Sequence, residues 1–321
     1  MKNRLRIFLF LLICTNAVYS QFDAQLSQYM LNSSAFNPAA VGQSGMIDVI
    51  GQHRLNWLSF QGGGTTTVFS LSAPLKIETS THGIGVSFLD DNVGWFTNQS
   101  FHLQYAFKKQ LGSGLLSLGA DLGFVDVSFS GDSLSSYTQN FKDYEYFNFS
   151  SDDQIPTSAV SGMAFDMGIG AMYTTPDWYA GVSMQHLNMP TVNWTNSMYF
   201  LVYPVLFLTG GMNFSYPDDD KLEIKPSVLF KSDFSSWAFD LSGRVEYDNK
   251  YWGGLSYRLL DAVVLMAGMN IASGLSVGYS FDISTNKLIT TNYGSHELFL
   301  IYSFEYVFNK NTTKYKSIRF L

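Results

Sequence analysis

Residues Ser295 to Phe308 read Ser-His-Glu-Leu-Phe-Leu-Ile-Tyr-Ser-Phe-Glu-Tyr-Val-Phe, and this stretch decides the fold. Every second residue from Leu298 is large and apolar, whereas the positions between them include the carboxylates Glu297 and Glu305. A period of two indicates a β-strand whose two faces differ. An aromatic-rich face opposite a face that carries acids is typical of a strand with lipid on one side and a wet interior on the other.

The same alternation recurs along the chain from Met46 onward. It is clearest in segments 101–108, 116–124, 222–231, 237–246 and 275–282, where one face is apolar and the other is polar, small or charged. Turn-forming residues divide the chain into about fourteen predicted strands, at 45–54, 65–74, 82–90, 98–109, 114–127, 162–174, 177–185, 203–216, 221–231, 236–247, 250–258, 262–270, 273–282 and 295–308. An even number is what bacterial outer-membrane barrels require.

The lengths of the connections support this count. If the first strand starts on the periplasmic side, the long connections all fall on the outer side: Leu55–Gly64, Ser128–Ser161, His186–Val202 and Ile283–Gly294. The connections on the other side are short, which is the known asymmetry of such barrels. The sequence therefore predicts an all-β fold, a transmembrane antiparallel β-barrel of about fourteen strands with short periplasmic turns and long extracellular loops.

Composition agrees with a barrel in outer-membrane lipid. The 321 residues are 46% apolar and 16% aromatic but only 14% charged, where about 25% charged is typical of soluble domains. The mean hydropathy of +0.03 is too low for a protein of many membrane helices. Beyond the N-terminus, no apolar run reaches the roughly 20 residues that a membrane helix needs.

Residues 1–20 are predicted to be a secretory signal peptide. Three basic residues precede a short apolar core, and Val18-Tyr19-Ser20 offers a cleavage site before Gln21. Cys14, the only cysteine, raises the alternative of a lipoprotein, but the bulky Ile13 before it does not suit that motif. Cleavage would remove three of the 19 basic residues and none of the 26 acidic residues, so the acidic mature chain is not expected to bind nucleic acid.

Three further regions follow in order. Residues 21–44 form a lead-in that is not strand-like and is expected either in the periplasm or folded into the lumen; residues 45–308 form the barrel, and residues 309–321 a C-terminal tail. A barrel of this size encloses more space than one layer of side chains fills. The predicted lumen residues are charged: Asp121, Asp240, Arg244, Glu246, Arg258, Asp282, Glu297 and Glu305.

No catalytic, cofactor-binding or metal-binding residues are assigned. The five histidines, His53, His82, His102, His186 and His296, show no metal-ligand spacing, and the chain has no nucleophile elbow and no phosphate-binding glycine loop. The interpretation is therefore a protein that is not an enzyme. An outer-membrane hydrolase stays open as an alternative, because a Ser/His pair meets in space rather than in sequence.

The long outer connections are rich in aromatic residues, which are enriched at the centres of interfaces. These side chains are the candidate partner-binding residues: Trp57, Phe60, Tyr137, Phe141, Tyr144, Tyr146, Phe147, Trp194 and Tyr199.

Several short motifs resemble the PorP/SprF family of outer-membrane proteins. They are Phe22–Met30, Asn37–Gly42, Gln52–Trp57, Phe69–Leu75, Gly83–Ser87, Asp91–Gly94, Ala180–Ser183, His186-Leu187 and Gly294–Glu297, so the similarity spans essentially the whole mature chain. One departure is Gln25-Leu26-Ser27, where Gln-Phe-Ser is more usual. Family-motif residues with a structural role are expected to be Asn37, Pro38, His53, Arg54, His186, His296 and Glu297.

This resemblance implies an outer-membrane barrel of the type IX secretion system of Bacteroidota, a group in which some members serve gliding motility. It implies that the protein docks or retains a secreted adhesin-like cargo at the cell surface through the cargo's C-terminal domain. It also implies contact with periplasmic or lipoprotein components of the secretion machinery. A porin or transporter for a small solute, built on the same barrel, is the alternative.

Overall fold

The structure is a computed structural model that describes residues 23–60, 62–77, 80–131, 156–195, 197–216, 219–272 and 274–305. Its strands are β1 (Ile47–Leu55), β2 (Thr65–Ile77), β3 (Ser80–Val93), β4 (Phe96–Leu111), β5 (Gly114–Ser130), β6 (Ala159–Thr174), β7 (Trp178–Gln185), β8 (Thr191–Asn193), β9 (Tyr199–Leu201), β10 (Val205–Met212), β11 (Phe214–Tyr216), β12 (Asp219–Ser232), β13 (Trp237–Tyr247), β14 (Tyr251–Arg258), β15 (Ala262–Ala272), β16 (Leu275–Ser284) and β17 (Ser295–Phe304).

Fourteen of these strands close into an antiparallel barrel, so the predicted fold class is confirmed. Most neighbours in the sheet are neighbours in the sequence. The barrel closes because β1 pairs with β17, placing Ile47 opposite Phe304, and because β10 pairs with β12. The segment β11 continues β10 beyond Asn213, and β8 and β9 form a separate hairpin.

Each of the fourteen predicted spans corresponds to a barrel strand, but three details were wrong. The span 203–216 is interrupted at Asn213, and the connection 186–202 contains the β8–β9 hairpin. Glu305 lies beyond the end of β17 and is exposed, so it is not a lumen residue. The predicted signal peptide and C-terminal tail, and residues Tyr137, Phe141, Tyr144, Tyr146 and Phe147, lie outside the described residues.

A row of aromatic side chains lies on the outer surface of the barrel across β2–β6. Phenylalanines face each other across five successive strands, in the order Phe69, Phe88, Phe101, Phe124 and Phe165. All five side chains point outward, and four of them are at least 44% exposed. Barrels place girdles of aromatic residues at the membrane interface, so the outer boundary crosses β2–β6 near this row. Because the strands are tilted, the row itself is inclined to the membrane plane and rises toward the extracellular side from β2 to β6.

At this row the outward-facing residues change from apolar to mostly polar. One step toward the long loops, the outward row contains Thr67, Asp90, Gln99, Asp126 and Met163. Toward the short turns the outward face stays apolar as far as Tyr173, eight residues from Phe165 on β6. Eight residues at about 3.3 Å, tilted by about 40°, rise roughly 20 Å, close to the apolar band of about 25 Å expected for these barrels.

The lead-in, residues 23–45, lies inside this barrel. It contains three short 3-10 turns, Tyr29–Leu31, Ser33–Ala35 and Pro38–Ala40, and most of its side chains are buried. No helix among the described residues is long and apolar enough to cross a membrane. The same residues contain no group of three or more His, Cys, Asp or Glu side chains that could hold a metal ion.

Candidate functional site: a plugged lumen and its outer vestibule

The lead-in enters the lumen at the end of the barrel that carries the short turns. The Gly42 N–H donates to the hydroxyl of Ser72 on β2 at 2.6 Å, and the side chain of Gln43 donates to Thr174 at the end of β6 at 2.7 Å. From Gly42 backward in sequence, the lead-in climbs the lumen to Asp23, which contacts His186 just after β7. Asp23 therefore lies near the extracellular end.

Glycines on the inner face of the strands make room for the lead-in. A Cβ at Gly83 would overlap the carbonyl oxygen of Val41, and one at Gly119 would overlap the backbone of Ala39. A glycine inside a strand often marks a place where another backbone approaches closely. The strands and the lead-in are therefore fitted to each other at the level of the main chain.

Asn37 and Pro38, predicted to be structural, anchor the middle of the lead-in. The Asn37 side chain accepts a hydrogen bond from the Ala39 N–H at 3.0 Å and caps the turn that begins with Pro38. Its amide nitrogen donates to the carbonyl of Ala171 on β6 at 3.4 Å. Both residues are buried, and a Cβ at Gly170 would overlap the Asn37 side chain.

An apolar cluster holds the same segment against β10 and β12. It consists of Tyr29, Phe36, Val205, Phe207 and Leu229. The rings of Phe36 and Phe207 stack with centroids 5.3 Å apart. The lead-in is thus packed by apolar side chains as well as bound by hydrogen bonds, which is how a stable plug differs from a solvated tail.

The strongest attachment is a buried ionic network around Ser27. Arg54 on β1 donates to the Ser27 hydroxyl at 2.6 Å and to the Asp282 carboxylate at 2.8 Å. The Ser27 and Gln28 main-chain N–H groups donate to the two oxygens of Glu297 at 2.7 and 2.9 Å. Breaking such a buried, hydrogen-bonded charge set by removing one member typically costs about 3–5 kcal/mol.

Arg258 extends this network toward β13. Its guanidinium donates to Asp240 at 3.2 Å and to Asp282 at 3.1 Å, and Asp240 accepts a hydrogen bond from Gln25 at 3.1 Å. The predicted lumen positions of Asp121, Asp240, Arg258, Asp282 and Glu297 agree with their burial, and Arg244 and Glu246 lie half-buried on the same face. What the sequence did not indicate is that the lead-in completes the hydrogen bonding of Asp240, Arg258, Asp282 and Glu297.

The upper end of the lead-in is held by a chain of histidines and carboxylates. Asp166 accepts from His102 at 2.9 Å and from His186 at 2.7 Å, and the other ring nitrogen of His186 lies 3.1 Å from Asp23. Lys231 donates to the Asp23 carbonyl at 2.9 Å.

Both ring nitrogens of His186 face carboxylates, so the ring is held as an imidazolium. Burial alone would lower the pKa of His186, but the carboxylates of Asp23 and Asp166 outweigh burial and raise it to about 10. Burial likewise opposes ionisation of Asp23, but His186 and Lys231 hold the pKa of Asp23 below its ordinary value. The pair is therefore ionised at neutral pH.

Above Asp23 the lumen widens into a cavity of about 680 Å³, which we call the outer vestibule. Its floor is Asp23–Gln25, and its wall is built from the extracellular ends of the strands. The lining combines charged and aromatic side chains and includes Arg54, Trp57, Asp91, Phe96, His186, Phe200, Lys231, Trp237, Arg258 and Asp282. A cavity of this size and mixed chemistry suits a segment of a protein or another amphipathic ligand.

The candidate partner-binding residues that the structure describes differ in their position and exposure. Trp57 lines the vestibule, Phe60 is 38% exposed, and Tyr199 on the β8–β9 hairpin is 66% exposed. Trp194 packs among Phe96, Phe129 and Phe200, and its indole N–H donates to the Val127 carbonyl at 2.7 Å.

The remaining family-motif residues divide between the two faces of the wall. Arg54, His186 and Glu297 are buried in the lumen and bind the lead-in, as described above. His53 points outward and lies 2.9 Å from the Thr67 hydroxyl, and His296 bonds Tyr279 at 2.5 Å on the outer surface. These two histidines lie at the outer rim of the barrel and not in the vestibule.

Sequence reasoning missed Asp23, Ser27, Gln28, His102 and Asp166 as members of the site. The available signal was the density of small polar residues in a lead-in that has no strand pattern, because such residues suit a polar lumen. Which strand residue each of them meets depends on how the barrel closes, and no spacing in the sequence encodes that.

A closed barrel with an aromatic girdle, charged groups turned inward and a lumen filled by its own N-terminal segment defines the chain as an outer-membrane β-barrel protein. Residues 18–302 match the sequence model of one family, described as "Type IX secretion system membrane protein PorP/SprF". The chain belongs to this family, which confirms the resemblance seen in its motifs and the outer-membrane location. As a member it is a component of type IX secretion.

Solved structures of outer-membrane barrels resemble the fold only distantly. The CymD monoaromatic hydrocarbon channel is 14% identical with a TM-score of 0.42, over 90% of this chain and 95% of that chain. The Pseudomonas putida toluene transporter TodX is 9% identical with a TM-score of 0.43, over 86% and 95%. A Pseudomonas aeruginosa FadL homologue is 11% identical with a TM-score of 0.44, over 85% and 94%. No curated protein sequence matches the chain.

Proposed function

We propose that the protein docks a secreted, adhesin-like protein at the cell surface through that protein's C-terminal domain, without catalysing a reaction. Its extracellular side receives the secreted protein, and its short periplasmic turns contact periplasmic or lipoprotein components of the type IX machinery. Membership of the PorP/SprF family supports a role in type IX secretion.

The observation that carries the docking role is the plugged lumen. Contacts of the lead-in reach opposite sides of the barrel, with Gln52 of β1, Ser183 of β7 and Ser227 of β12 among its partners. A barrel that conducts a solute needs a continuous polar path. Here the inner charges are used to hold the lead-in in place, which favours a scaffold over a pore.

The outer vestibule supplies the second support. It lies on the extracellular side and places Trp57 beside Arg54 and Asp282, so one ligand could meet an aromatic face and charged groups of both signs. Aromatic residues and arginine are the residue types that dominate binding at protein interfaces. We propose Trp57, Phe60 and Tyr199 as contacts for the docked protein.

Deletion of the gene, with complementation by the full chain, tests this proposal. The expected result is that one or a few secreted proteins leave the cell surface and appear in the medium, while general type IX secretion continues. Re-expression of a Trp57→Ala variant should restore surface retention only in part, and Leu260→Ala, a control at an exposed loop residue, should restore it fully.

A conductance measurement on the purified full chain in planar lipid bilayers tests the transporter alternative. Docking predicts little or no conductance from the intact protein and a large increase when residues 23–43 are deleted. A steady, solute-selective conductance of the intact protein, together with unchanged surface retention in the deletion strain, would show that the docking proposal is wrong.

A further inference from the structure

We propose that the free edge of β6, residues 159–164, receives an extended strand of the docked protein. This inference rests on the proposed docking function and names the place and the mode of binding. It depends on three observations: the edge has no pairing partner among the described residues, it lies outside the membrane, and no feature of its own sequence protects it.

The two sides of β6 are paired to different extents. On one side, β5 pairs with β6 along its whole length, from Ser130 opposite Ala159 to Leu115 opposite Thr174. On the other side, β7 pairs only from Ile169 to Thr174. The chain just after β7 extends the wall a little further, because the Leu187 N–H donates to the Met167 carbonyl at 2.9 Å.

Among the described residues, the last contact along this edge is made by a side chain. The Asn188 amide donates to the Phe165 carbonyl at 2.7 Å, which is at the level of the aromatic row. Because main-chain groups alternate along a strand, the N–H and C=O groups of Met163 and Ser161 point to the same side as those of Met167. Within the described residues, neither group of either residue has a partner on that side.

This unpaired segment is outside the hydrocarbon. Met163 lies in the row with Asp126, Gln99 and Asp90, one step beyond the aromatic girdle, and its side chain is 65% exposed. Gln99 donates to Asp90 at 2.7 Å on this outer surface, as expected of a wall in water. Unsatisfied main-chain groups would be costly in lipid, but in water they remain available to a partner.

The sequence of the edge does nothing to block pairing. Residues 159–164 read Ala-Val-Ser-Gly-Met-Ala, with no lysine, no proline and no bulge. Natural sheets usually protect an exposed edge with one of these features, because a row of free N–H and C=O groups is a template for another strand. An edge left open in this way fits β-strand addition.

The occupant that fits is an extended polypeptide of a different protein, about five residues long. Only another main chain can satisfy alternating donors and acceptors spaced about 6.8 Å apart. On the outward face the incoming strand would lie beside Ser161 and Met163, so it should carry apolar or neutral polar residues there. On the inward side the β8–β9 hairpin already lies against β6, since a Cβ at Gly162 would overlap the Asn193 carbonyl.

Met163→Pro tests the edge directly in cells that express the full chain. Proline removes the N–H that points to the free edge, and its ring obstructs a neighbouring strand. It is tolerated on an edge strand because Met163 donates no hydrogen bond to β5 through that N–H. Retention of the docked protein should fall at least tenfold. Met163→Ala, which keeps the main chain intact, should retain it within twofold of the wild type. Heat-modifiable mobility on gels checks that both variants fold.

Cross-linking identifies the occupant. Cys14 is the only native cysteine, so Met163→Cys in a Cys14→Ser background carries one thiol, and Gln99→Cys, an outward residue in the same paired row on β4, is the matched control. A short heterobifunctional reagent, with a maleimide that reacts with the thiol and a diazirine that is then photolysed on whole cells, should join Met163→Cys, but not Gln99→Cys, to the retained secreted protein, because the carbene inserts into any neighbouring chain and needs no second thiol. A dimer of this chain, an adduct within the chain, or equal adducts from both positions would overturn the proposal.

The two levels of the hypothesis fail separately. If gene deletion releases the secreted protein but Met163→Pro retains it normally, the edge proposal is wrong and docking stands. If gene deletion releases nothing, docking itself is wrong.

Discussion

The main-chain N–H of Ser27 donates to the carboxylate of Glu297 at 2.7 Å, joining two residues 270 positions apart in the sequence. Ser27 belongs to the lead-in inside the lumen, and Glu297 belongs to the strand that closes the barrel against β1. The hydrogen bond therefore links insertion of the plug to closure of the barrel. Arg54, 3.6 Å from Glu297, balances its charge.

Glu297→Ala should destabilise the protein by about 3–5 kcal/mol, because it leaves two main-chain N–H groups without a partner in a buried site and removes one of the carboxylates that balance Arg54. Glu223→Ala is the matched control. Glu223 also lies close to a cation, 2.6 Å from Lys225, but it is partly exposed and should contribute no more than about 1 kcal/mol. Urea unfolding from lipid vesicles measures both variants, and equal losses would contradict the buried network.

Gly83→Ala should loosen the plug, because the added Cβ overlaps the Val41 carbonyl, a backbone atom that can move only if the lead-in moves. Overpacking of this kind costs about 1–3 kcal/mol. The measurement is the conductance of the full chain in planar bilayers, which should rise. Gly243→Ala is the control, since nothing lies within 4 Å of a Cβ at that position. A rise in both variants would point to general damage to the barrel.

The attachment of Asp23 to His186 should depend on pH. The pKa of His186 is raised to about 10 in the folded protein, so its stabilisation is complete below the ordinary histidine value of 6.5 and is lost as the pH rises toward 10. The lowered pKa of Asp23 sets the acid limit, below its ordinary 3.8. The difference in unfolding free energy between wild type and His186→Gln should be largest from about pH 4 to 6.5 and should shrink above that range. A difference that is constant from pH 5 to 10 would refute the assignment.

The position of the membrane boundary can be tested on β6 alone. Ile169 lies near the middle of the apolar band and Met163 lies beyond the girdle, and both side chains point outward with 48% and 65% exposure. Ile169→Arg should cost about 2–4 kcal/mol in lipid vesicles, whereas Met163→Arg should cost about 0–1 kcal/mol. If the two costs are similar, the membrane boundary does not lie between these two residues.

The strands could be predicted from the sequence because their signal is local. On β4, Phe101 and Leu103 alternate with His102 and Gln104, and the polarity of each side chain indicates its face of the strand without information from any other strand. The features that were missed are those that depend on contacts with residues distant in the sequence and not on a local pattern. The β8–β9 hairpin is only three residues long on each side and is held by packing of Val192 and Trp194 against β5 and β6.

The sequence by itself determined the barrel, the number of its strands and the direction of its loops. Lipid on one face and water on the other select side chains with a period of two, and turns are recognised from their residue composition. Only the tertiary structure decided what fills the lumen and where the wall stays open. The contact between Ser27 and Glu297, and the edge at Met163 that has no partner among the described residues, both follow from register between strands. Which residues pair across two strands depends on how the whole barrel closes, so register cannot be predicted from any single segment of the sequence.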